Sequence, residues 1–468
     1  MNCLGIDFGT TSVKAVLFDE NLKELASTTE EYSLNARDDI VELEGEKYLA
    51  FLRNAIDRIL SKAKIDCLAI DTQCETLILT DENGIPVRDA IVWLDNRAVE
   101  ESKIIEAHFG RQRVYEVTGQ PEIAATWPAC KLLWVKRNEP EVWAKTKKVF
   151  LLEDYLLYHL TGEFVTEKTL QSSTIYFDIN HGTWWDEMLS FIGVTEDMLP
   201  RLEDSGVCIG DYNGIKVVTS AMDQVAGAIG AGVVKQGIIS EMTGTAMAIY
   251  APTDHIPAYD PDCFIPCHYS FDGSYCLLAW SQTAGMTLKW FKDMFLSSYS
   301  FKDLDAMAEQ INVGSDGVTF LPYLCGSRTP KYNPDARGSF TGLTPEHTPA
   351  HFVRSIMEAV SCELKATLDA LNVPVDEIRV MGGGAKSALW CSMKADLLGK
   401  TLLTLKNKET ACLGAAILAG VGCGLFSSVE AACEKIETDL EYVPSGNDYS
   451  DVYRRFRMYD KVLNVKHS

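Results

Sequence analysis

The sequence predicts an α/β protein built from two similar halves, each a mixed β-sheet covered by helices. The first observation is a strand, a polar turn and a returning strand at residues 4–19, and the second is the same arrangement at residues 237–250. The third is the order strand, strand, strand, helix, strand over residues 4–76, which is typical of a mixed sheet covered by helices. At 468 residues the chain is long enough for two domains, and we place their boundary so that they span 1–234 and 235–468.

The first hairpin has the composition of an anion-binding loop. An apolar run from Leu4 ends at Asp7 and Phe8, a Gly-Thr-Thr-Ser turn follows, and Lys14 lies on the returning strand. Such a loop offers backbone N–H groups, hydroxyls and one lysine to an anion, and Asp7 is placed to hold hydrated Mg²⁺ against phosphate oxygens. The alternative is a surface hairpin whose small residues serve only the turn.

A second group of polar residues follows the apolar strand at 67–71. This strand runs into Gln73-Cys74-Glu75-Thr76, continues at 77–80 and turns at 81–84. Ligands usually bind where the strands of such sheets end. The stretch from 90 to 97 comes next, and the segments 131–135 and 184–186 are interpreted mainly as packing elements.

The end of the first half and the second half contain further strands that end in small polar residues. A strand at 217–219 precedes Asp223-Gln224, and the Ala/Gly-rich run at 225–232 permits close helix packing. The turn at 338–343 precedes an amphipathic helix at 352–371. A strand at 378–381 then enters the glycines at 382–384 and a helix at 388–398. These glycines let a flat ligand approach the backbone, and the helix N-terminus favours negative charge; the alternative is that they only close a tight turn.

Composition excludes several classes of partner. A formal net charge of −23 disfavours nucleic acid and anionic membranes held by bulk electrostatics. No apolar run reaches membrane-spanning length, and the chain enters its first strand without a leader pattern, so we expect a cytoplasmic protein. The fourteen cysteines lack a framework spacing and fit a reduced compartment. Cys263 and Cys267-His268 have no second ligand pair at a matching spacing, and we interpret them as structural thiols.

The common nucleotide motifs are absent from the sequence. Gly399-Lys400-Thr401 resembles the end of a P-loop, but Lys394 stands where the first glycine is required. Gly382-Gly-Gly384 has Ser387 at the third position of the dinucleotide fingerprint. The sequence also lacks the zinc-protease pattern His-Glu-x-x-His and the serine-hydrolase pattern Gly-x-Ser-x-Gly.

The two hairpins, the glycine-rich turn between strand and helix, and Asp223 at a strand end together resemble the actin-like ATPase superfamily, whose two ribonuclease H-like lobes hold ATP in a cleft. Within that superfamily the sequence resembles the FGGY family of carbohydrate kinases. The matching segments cover nearly the whole chain: 5–14 as the first phosphate loop, 131–135 as the first signature, 320–330, and 338–343 with 351–358 as the second signature. Thr126 departs from the first signature. The resemblance implies a kinase that uses ATP and Mg²⁺.

The resemblance also implies roles for individual residues. A sugar hydroxyl is a poor nucleophile, so a carboxylate must accept its proton as the γ-phosphoryl group is transferred. Asp223 matches the family's catalytic aspartate; the alternative is a helix N-cap. Asp7 would position Mg²⁺. The expected nucleotide contacts are Thr10, Thr11 and Lys14 to the transferred phosphate, Thr243, Gly244 and Thr245 to the other phosphates, and Gly383, Gly384 and Ser387 to adenosine.

The acceptor pocket combines features of two kinds of kinase. The chain as a whole looks most like xylulose kinases. The motifs Gln-x-Glu-Thr at 73–76 and Asp-Gln at 223–224 instead resemble those of glycerol kinases, although x is arginine in glycerol kinases and is Cys74 in this chain. The expected substrate-binding residues are Gln73, Cys74, Glu75, Trp93, Asp95, Asp223 and Gln224. This chemistry suits a small uncharged polyhydroxylated substrate, and Glu75 and Asp223 would repel an acid such as gluconate. For Trp93, core packing is the alternative.

The resulting prediction is ATP-dependent phosphorylation of a primary hydroxyl of a small ketose, in the manner of a xylulose kinase. Glycerol or another polyol is the second acceptor. A non-catalytic actin-like ATP switch is the alternative from a different class. The expected partner is a small sugar or polyol, and the expected assembly is a homodimer.

Overall fold

The computed structural model describes residues 1–463; residues 464–468, which end the second predicted domain, lie outside the described residues. The strands of the first half are β1 Cys3–Phe8, β2 Ser12–Phe18, β3 Glu24–Glu31, β4 Asn35–Arg37, β5 Ile40–Leu43, β6 Cys67–Thr72, β7 Leu77–Thr80, β8 Ala90–Ile91, β9 Lys148–Leu151, β10 Val165–Glu167, β11 Phe177–Asp178, β12 Thr183–Trp184, β13 Arg201–Glu203, β14 Cys208–Tyr212 and β15 Ile215–Val218. Its helices are α1 Gly45–Leu60, α2 Val99–Phe109, α3 Arg111–Thr118, α4 Pro128–Asn138, α5 Pro140–Lys145, α6 Leu152–Thr161, α7 Lys168–Gln171, α8 Asp186–Ile192 and α9 Asp223–Gly230.

The second half follows the same alternation of strands and helices. Its strands are β16 Gly237–Thr243, β17 Met247–Thr253, β18 Cys267–Tyr269, β19 Tyr275–Ser281, β20 Thr319–Leu321, β21 Ser339–Thr341, β22 Val375–Met381, β23 Thr401–Leu405 and β24 Thr438–Tyr442. Its helices are α10 Gly285–Phe295, α11 Phe301–Glu309, α12 Pro349–Leu371, α13 Ala388–Leu398, α14 Thr410–Gly422, α15 Val429–Cys433 and α16 Ser450–Leu463.

Two mixed sheets organise the molecule, as predicted. The first has the order β14-β15-β6-β1-β2-β3, in which β15, β6 and β1 are parallel. The second has the order β18-β19-β17-β16-β22-β23-β24, in which β16, β22 and β23 are parallel. Each sheet therefore contains an antiparallel hairpin, β1–β2 or β16–β17, whose first strand lies beside a parallel strand from later in the chain.

The alternation of residues along β1 decides what covers each face of the first sheet. Leu4, Ile6 and Phe8 are fully buried in one apolar cluster with the inner face of α1. The intervening positions, including Gly5 and Asp7, point to the other face. On that face, a Cβ on Gly5 would overlap the carbonyl oxygen of Cys412 in α14, so the glycine allows this helix to lie directly on the strand.

Helix α14 joins the two halves. It packs against α9, β1 and β6, although it comes from the second half of the sequence. At the crossing with α9, a Cβ on Gly414 would overlap the carbonyl oxygen of Ala226, and one on Gly230 would overlap that of Thr410. The predicted close helix packing of residues 225–232 is therefore confirmed, and its partner is α14.

Two local expectations differ from the structure. The segment Gly338–Leu343, predicted as a turn, contains the short strand β21, which pairs with β20 through Phe320 and Phe340. The strand predicted to continue from 67–71 through 77–80 is divided between two sheets. The division falls at Glu75, whose φ of 57° lies in the left-handed region and turns the chain. No helix within residues 1–463 has both the length and the apolar character that crossing a bilayer requires.

Candidate active site

Three aspartates meet where the parallel strands of the first sheet end. Asp7 on β1 pairs in register with Asp71 on β6, and Asp223 follows the end of β15, the next strand in the sheet. Burial, and then the charge of Asp223, raise the pKa of Asp7 to about 6. Asp71 is fully buried, and its pKa is raised well above its usual range by burial and then by Asp7 and Asp223. This edge therefore concentrates negative charge where a cation or phosphate chemistry would use it.

Asp223 is held at the first position of α9, with Met222 as the N-cap residue. Its Oδ1 accepts hydrogen bonds from the backbone N–H of Gln224 at 2.6 Å and from the thiol of Cys74 at 3.7 Å. Burial raises the pKa of Asp223, and these donors oppose the rise. Both of these bonds fall on Oδ1, and the side chain of Gln224 is a further donor to this carboxylate.

The first phosphate loop is tied to the predicted sugar pocket. The indole N–H of Trp93 donates to the hydroxyl of Thr10 at 3.0 Å, so Trp93 lies against the loop. The neighbouring Thr11 is exposed. Lys14, predicted to bind the transferred phosphate, forms an ion pair of 2.6 Å with Glu409, the residue before α14. A phosphate at this loop would therefore compete with Glu409 for the ammonium group.

One wall of the predicted sugar pocket rests on a buried lysine. Lys131 in α4 is fully buried, and its Nζ donates to the carbonyl oxygens of Glu75 at 3.0 Å and Val92 at 2.9 Å. These bonds hold the left-handed backbone at Glu75. Burial raises the pKa of Glu75 to about 7, although Lys131 opposes the rise, and burial lowers the pKa of Lys131 to about 7. The segment 131–135, interpreted mainly as a packing element, thus also supports the pocket.

Gln73 and Gln224 flank this wall. The amide of Gln73 donates to the Tyr48 hydroxyl at 3.2 Å, and Gln73 is 4% exposed. Gln224 is partly buried beside Asp223.

Asp95 does not face the sugar, contrary to the prediction. It is fully buried, and its two oxygens accept four hydrogen bonds, one from the backbone of Val41 and three from Arg97. These bonds use the four acceptor positions of a carboxylate. Asp95 therefore anchors the 92–97 loop to β5 instead of binding a substrate hydroxyl.

The second phosphate loop is built on the contact between two turns. A Cβ on Gly382 would crowd the carbonyl oxygen of Thr243, and one on Gly384 would crowd the Thr243 side chain. Gly244 is partly exposed, Thr245 is exposed and Gly383 is exposed, so the two turns form one continuous surface. The glycines at 382 and 384 are thus required for this approach, whatever else they bind.

Two hydroxyls predicted to contact the nucleotide have partners within the protein. The Thr243 hydroxyl is 1% exposed; it donates to Glu241 and accepts from Lys394 at 2.8 Å, so it does not reach a phosphate. The Ser387 hydroxyl caps α13 by accepting from the backbone N–H of Trp390 at 3.1 Å.

Comparison with known proteins identifies the family. The model of the N-terminal domain of the FGGY family of carbohydrate kinases matches residues 2–230, and that of the C-terminal domain matches residues 273–423. The chain belongs to this family. It is a carbohydrate kinase, and the resemblance inferred from the sequence motifs is confirmed.

Relatives of this kinase are named for different sugar acceptors. It is 28% identical to a xylulose kinase of Lactococcus lactis, over 99% of this chain and 97% of the relative. It is 30% identical to a gluconokinase of Bacillus subtilis, over 99% of this chain and 96% of the relative. A gluconate kinase structure from Lactobacillus acidophilus superposes with a TM-score of 0.92 at 25% identity, covering 100% of this chain and 99% of that chain.

Sequence reasoning on this kinase gave no role to three buried charged residues. Asp71 ends β6 as Asp7 ends β1, and that shared position was the available signal. Lys131 was the only charge in the apolar stretch 128–135, and a lysine there signals a specific buried contact. Lys394 carried no signal, because its partners Glu241 and Thr243 are more than 150 residues away in sequence.

Proposed function

We propose that this kinase transfers the γ-phosphoryl group of ATP, with Mg²⁺, to a primary hydroxyl of a small ketose of the xylulose type, and that Asp223 is the general base. The supporting observation is the position of Asp223, which lies at the strand edge close enough to Asp7 for its charge to raise the pKa of Asp7. The raised pKa of Asp223 makes it a better proton acceptor than an ordinary aspartate.

Each half would supply one part of the reaction. Residues 1–234 would bind the sugar and present the first phosphate loop, with Thr10, Thr11 and Lys14 at the transferred phosphate. Residues 235–468 would hold the nucleotide through the backbone at Gly244 and Thr245 and through Gly383 and Gly384. Closure of the two lobes would exclude water, which competes with the sugar as acceptor. A cytoplasmic location and a homodimer remain predictions.

The residues at this edge fit Mg²⁺. Among residues 1–463 no group of three or more histidine, cysteine, aspartate or glutamate side chains forms a complete metal cage. Mg²⁺ does not need one, because it usually keeps several waters and binds through one or two carboxylates plus substrate phosphates. Asp7 would hold the ion, which when bound neutralises charge on the phosphates.

The basic side chains near the pocket are already paired within the protein, which favours a neutral acceptor. Lys131 donates to two backbone carbonyls, and Arg97 is held by Asp95 and Glu42. Neither is available to pair with a substrate carboxylate, whereas Glu75, Gln73 and Gln224 offer acceptors and donors to hydroxyls.

Gluconate is the second candidate acceptor, and glycerol or another polyol the third. The observation that favours gluconate is the pKa of Glu75, about 7, which reduces the negative charge that a carboxylate substrate would meet near neutral pH. The 30% identical gluconokinase relative supports the same candidate.

The test is ADP release with Mg·ATP across D-xylulose, L-xylulose, D-ribulose, L-ribulose, glycerol, erythritol, xylitol, D-gluconate and no acceptor. We expect one ketose to raise the rate strongly and Asp223→Asn to abolish that stimulation while the sugar still binds in calorimetry. Stimulation by gluconate or glycerol alone would replace the ketose assignment. A rate that no acceptor raises, with ATP-dependent polymerisation, would favour the actin-like switch.

A further inference from the structure

Asp71 lies beside Asp7 and has no function in the proposed reaction so far. Because β1 and β6 are parallel and Asp7 is in register with Asp71, their Cα atoms belong to neighbouring strands about 4.8 Å apart. Ile6 and Ile70 pack into the cluster with α1, so the next residues, Asp7 and Asp71, both point to the opposite face. The two carboxylates therefore stand side by side.

Asp71 is exceptional in lacking hydrogen-bond donors. It is 0% exposed, and among residues 1–463 no N–H group or hydroxyl donates to either of its oxygens; its polar contact is a hydrogen bond with the carboxyl group of Asp7. By contrast, the buried Glu167 accepts bonds from the backbone and hydroxyl of Thr169 and from Leu170. Two adjacent buried carboxyl groups can share a proton, and ionising both is costly unless a cation joins them.

The nearby charges do not supply that cation. The pKa shift of Asp71 is attributed to burial and to the carboxylates of Asp7, Asp223 and Glu153. Lys14, on the strand that pairs with β1 opposite Asp7, is engaged by Glu409. The arrangement is thus two adjacent carboxyl groups that face the phosphate loop, and the cation near Asp7, Lys14, is already paired with Glu409. Two carboxylates are a ligand set that Mg²⁺ takes together with phosphates and water.

We propose that Asp71 is the second carboxylate of the magnesium site and holds the ion together with Asp7. The inference rests on the proposed function, because it specifies the site that Mg·ATP would occupy. In this assignment Asp71 acts on the metal, and Asp223 acts on the sugar hydroxyl. Loss of Asp71 therefore affects metal affinity first and turnover only as a consequence.

The experiment measures Mn²⁺ binding, by electron paramagnetic resonance, to the full-length protein with ATP and without sugar. We expect Asp71→Asn and Asp71→Ser to weaken Mn²⁺ binding about 10- to 100-fold, the range seen when groups that support a metal ligand are removed. ATP binding measured without metal should be unchanged or tighter, because a negative charge has been removed. Mn²⁺ affinity within twofold of the wild type would overturn the proposal.

Glu153→Gln is the matched control. Glu153 is also fully buried, raises the pKa of Asp71 through its charge, and has one oxygen without a donor among the described residues, but its other oxygen accepts from the backbone of Ser220. It should change Mn²⁺ affinity less than threefold. An equal loss in Glu153→Gln and Asp71→Asn would assign the effect to general electrostatics and overturn ligation by Asp71.

A measurement on the wild type covers the case in which the Asp71 variants fail to fold. Fe²⁺ in place of Mg²⁺, with ascorbate and peroxide, cleaves the backbone near its ligands, and mass spectrometry locates the cuts. We expect cuts on both β1 and β6, at residues 7 and 71; cuts on β1 alone would contradict the proposal.

The two proposals fail in different ways. If wild-type protein phosphorylates a sugar but Asp71→Asn binds Mn²⁺ normally, the inference is wrong and the proposed function stands. If no acceptor is phosphorylated but Asp71→Asn loses Mn²⁺ binding, the metal site stands and the proposed function is wrong. Asp223→Asn, which should lose turnover and keep Mn²⁺ affinity, separates the metal site from the base.

Discussion

The hairpins β1–β2 and β16–β17 have the same backbone plan and opposite distributions of polar side chains. In each hairpin the first strand ends in a residue paired across the turn, Phe8 in β1 and Thr243 in β16. The residue just before it in sequence points to the opposite face of the sheet. In the first hairpin that position is Asp7, and Ile6 and Phe8 lie in an apolar core. In the second it is Met242, 40% exposed, and Thr243 belongs to a buried polar group with Glu241 and Lys394.

This difference in side chains gives the first hairpin a chemical role and the second a positioning role. A carboxylate at the edge of the first sheet can hold a metal ion or respond to a developing charge, whereas a methionine at the corresponding place cannot. The second hairpin instead uses its polar residues internally, where Lys394 fixes Thr243 and leaves the backbone turn to hold phosphates. The two halves share a fold, and the site residues assign them different tasks.

Several buried acids of the first half lack a cationic partner. Asp71, Glu153, Asp154 and Glu167 are fully buried, and within residues 1–463 no ion pair joins any of them to a cation, whereas buried Asp95 and Glu101 pair with Arg97 and Arg137. In the second half Glu241 pairs with Lys394, and Glu358 pairs with Arg354. Glu363, which accepts from Ser281, is the exception there.

The largest expected effect comes from substituting Asp7, and its corresponding residue Met242 provides the comparison. Asp7→Asn should lower kcat/KM by roughly 100-fold or more, since removing groups that only support a metal ligand already costs about 10- to 100-fold. Met242→Leu should change kcat/KM less than about threefold, because exposed substitutions away from charged contacts have small effects. Steady-state kinetics at saturating Mg²⁺ measures both, and equal losses in the two variants would remove the distinction between the hairpins.

The buried ion pair of the second half predicts a loss of stability. Lys394→Met leaves Glu241 buried without its cation and should lower the free energy of unfolding by about 3–5 kcal/mol. The double variant Glu241→Leu with Lys394→Met should recover more than half of that loss. Chemical denaturation measures this series, with Lys365→Met in the partly exposed pair with Asp369 as the control. A double variant as unstable as Lys394→Met would contradict the pairing.

The unpaired acids of the first half predict a pH dependence of stability. Burial raises the pKa of Asp154 to about 7 and that of Glu167 to about 8, so the folded state holds protons that the unfolded chain releases near pH 4. These groups therefore favour folding at low pH, and their contribution is lost as pH rises to about 8, at roughly 1.4 kcal/mol for each unit of pKa shift. Glu167→Gln should flatten the fall between pH 5 and 8 in thermal unfolding. The substitution Glu430→Gln, at an exposed position, should leave the fall in stability between pH 5 and 8 unchanged. If Glu167→Gln has the same fall as the wild type, Glu167 is not its cause.

The smallest expected effect concerns the thiol beside the base. Cys74→Val removes the hydrogen bond to Asp223, raises the pKa of Asp223 and should lower kcat/KM at pH 7 about two- to tenfold, which corresponds to the usual worth of one hydrogen bond. The acid limb of the pH profile should move upward. Cys74→Ser keeps a donor and should retain the wild-type profile; a shift of the same size in both variants would argue against the hydrogen bond.

The parts of the fold that the sequence predicts are those with local signals. The two hairpins, the strand predicted at 378–381, which is the end of β22, and helix α13 follow from alternation, glycine turns and capping, all within short windows. The role of α14 could not be predicted, because its contact with β1 depends on a glycine at position 5 and a carbonyl at position 412.

The candidate site shows the same limit. Asp223, Asp7 and Cys74 are brought together as the motifs indicated. Asp95 was misassigned although Arg97, which donates three of its four hydrogen bonds, is only two residues away; the fourth donor, Val41, lies 54 residues earlier. Asp71 became interpretable only from the register of β1 with β6.

The most direct test of the central claim is the identity of the phosphoryl acceptor. The protein is incubated with Mg·ATP and D-xylulose, and the product is examined by proton-coupled ³¹P nuclear magnetic resonance. Transfer to a primary hydroxyl predicts a phosphomonoester signal split by two equivalent or near-equivalent methylene protons, absent with Asp223→Asn. Formation of inorganic phosphate with unchanged sugar, across every acceptor tested, would show that water is the acceptor and would contradict the account.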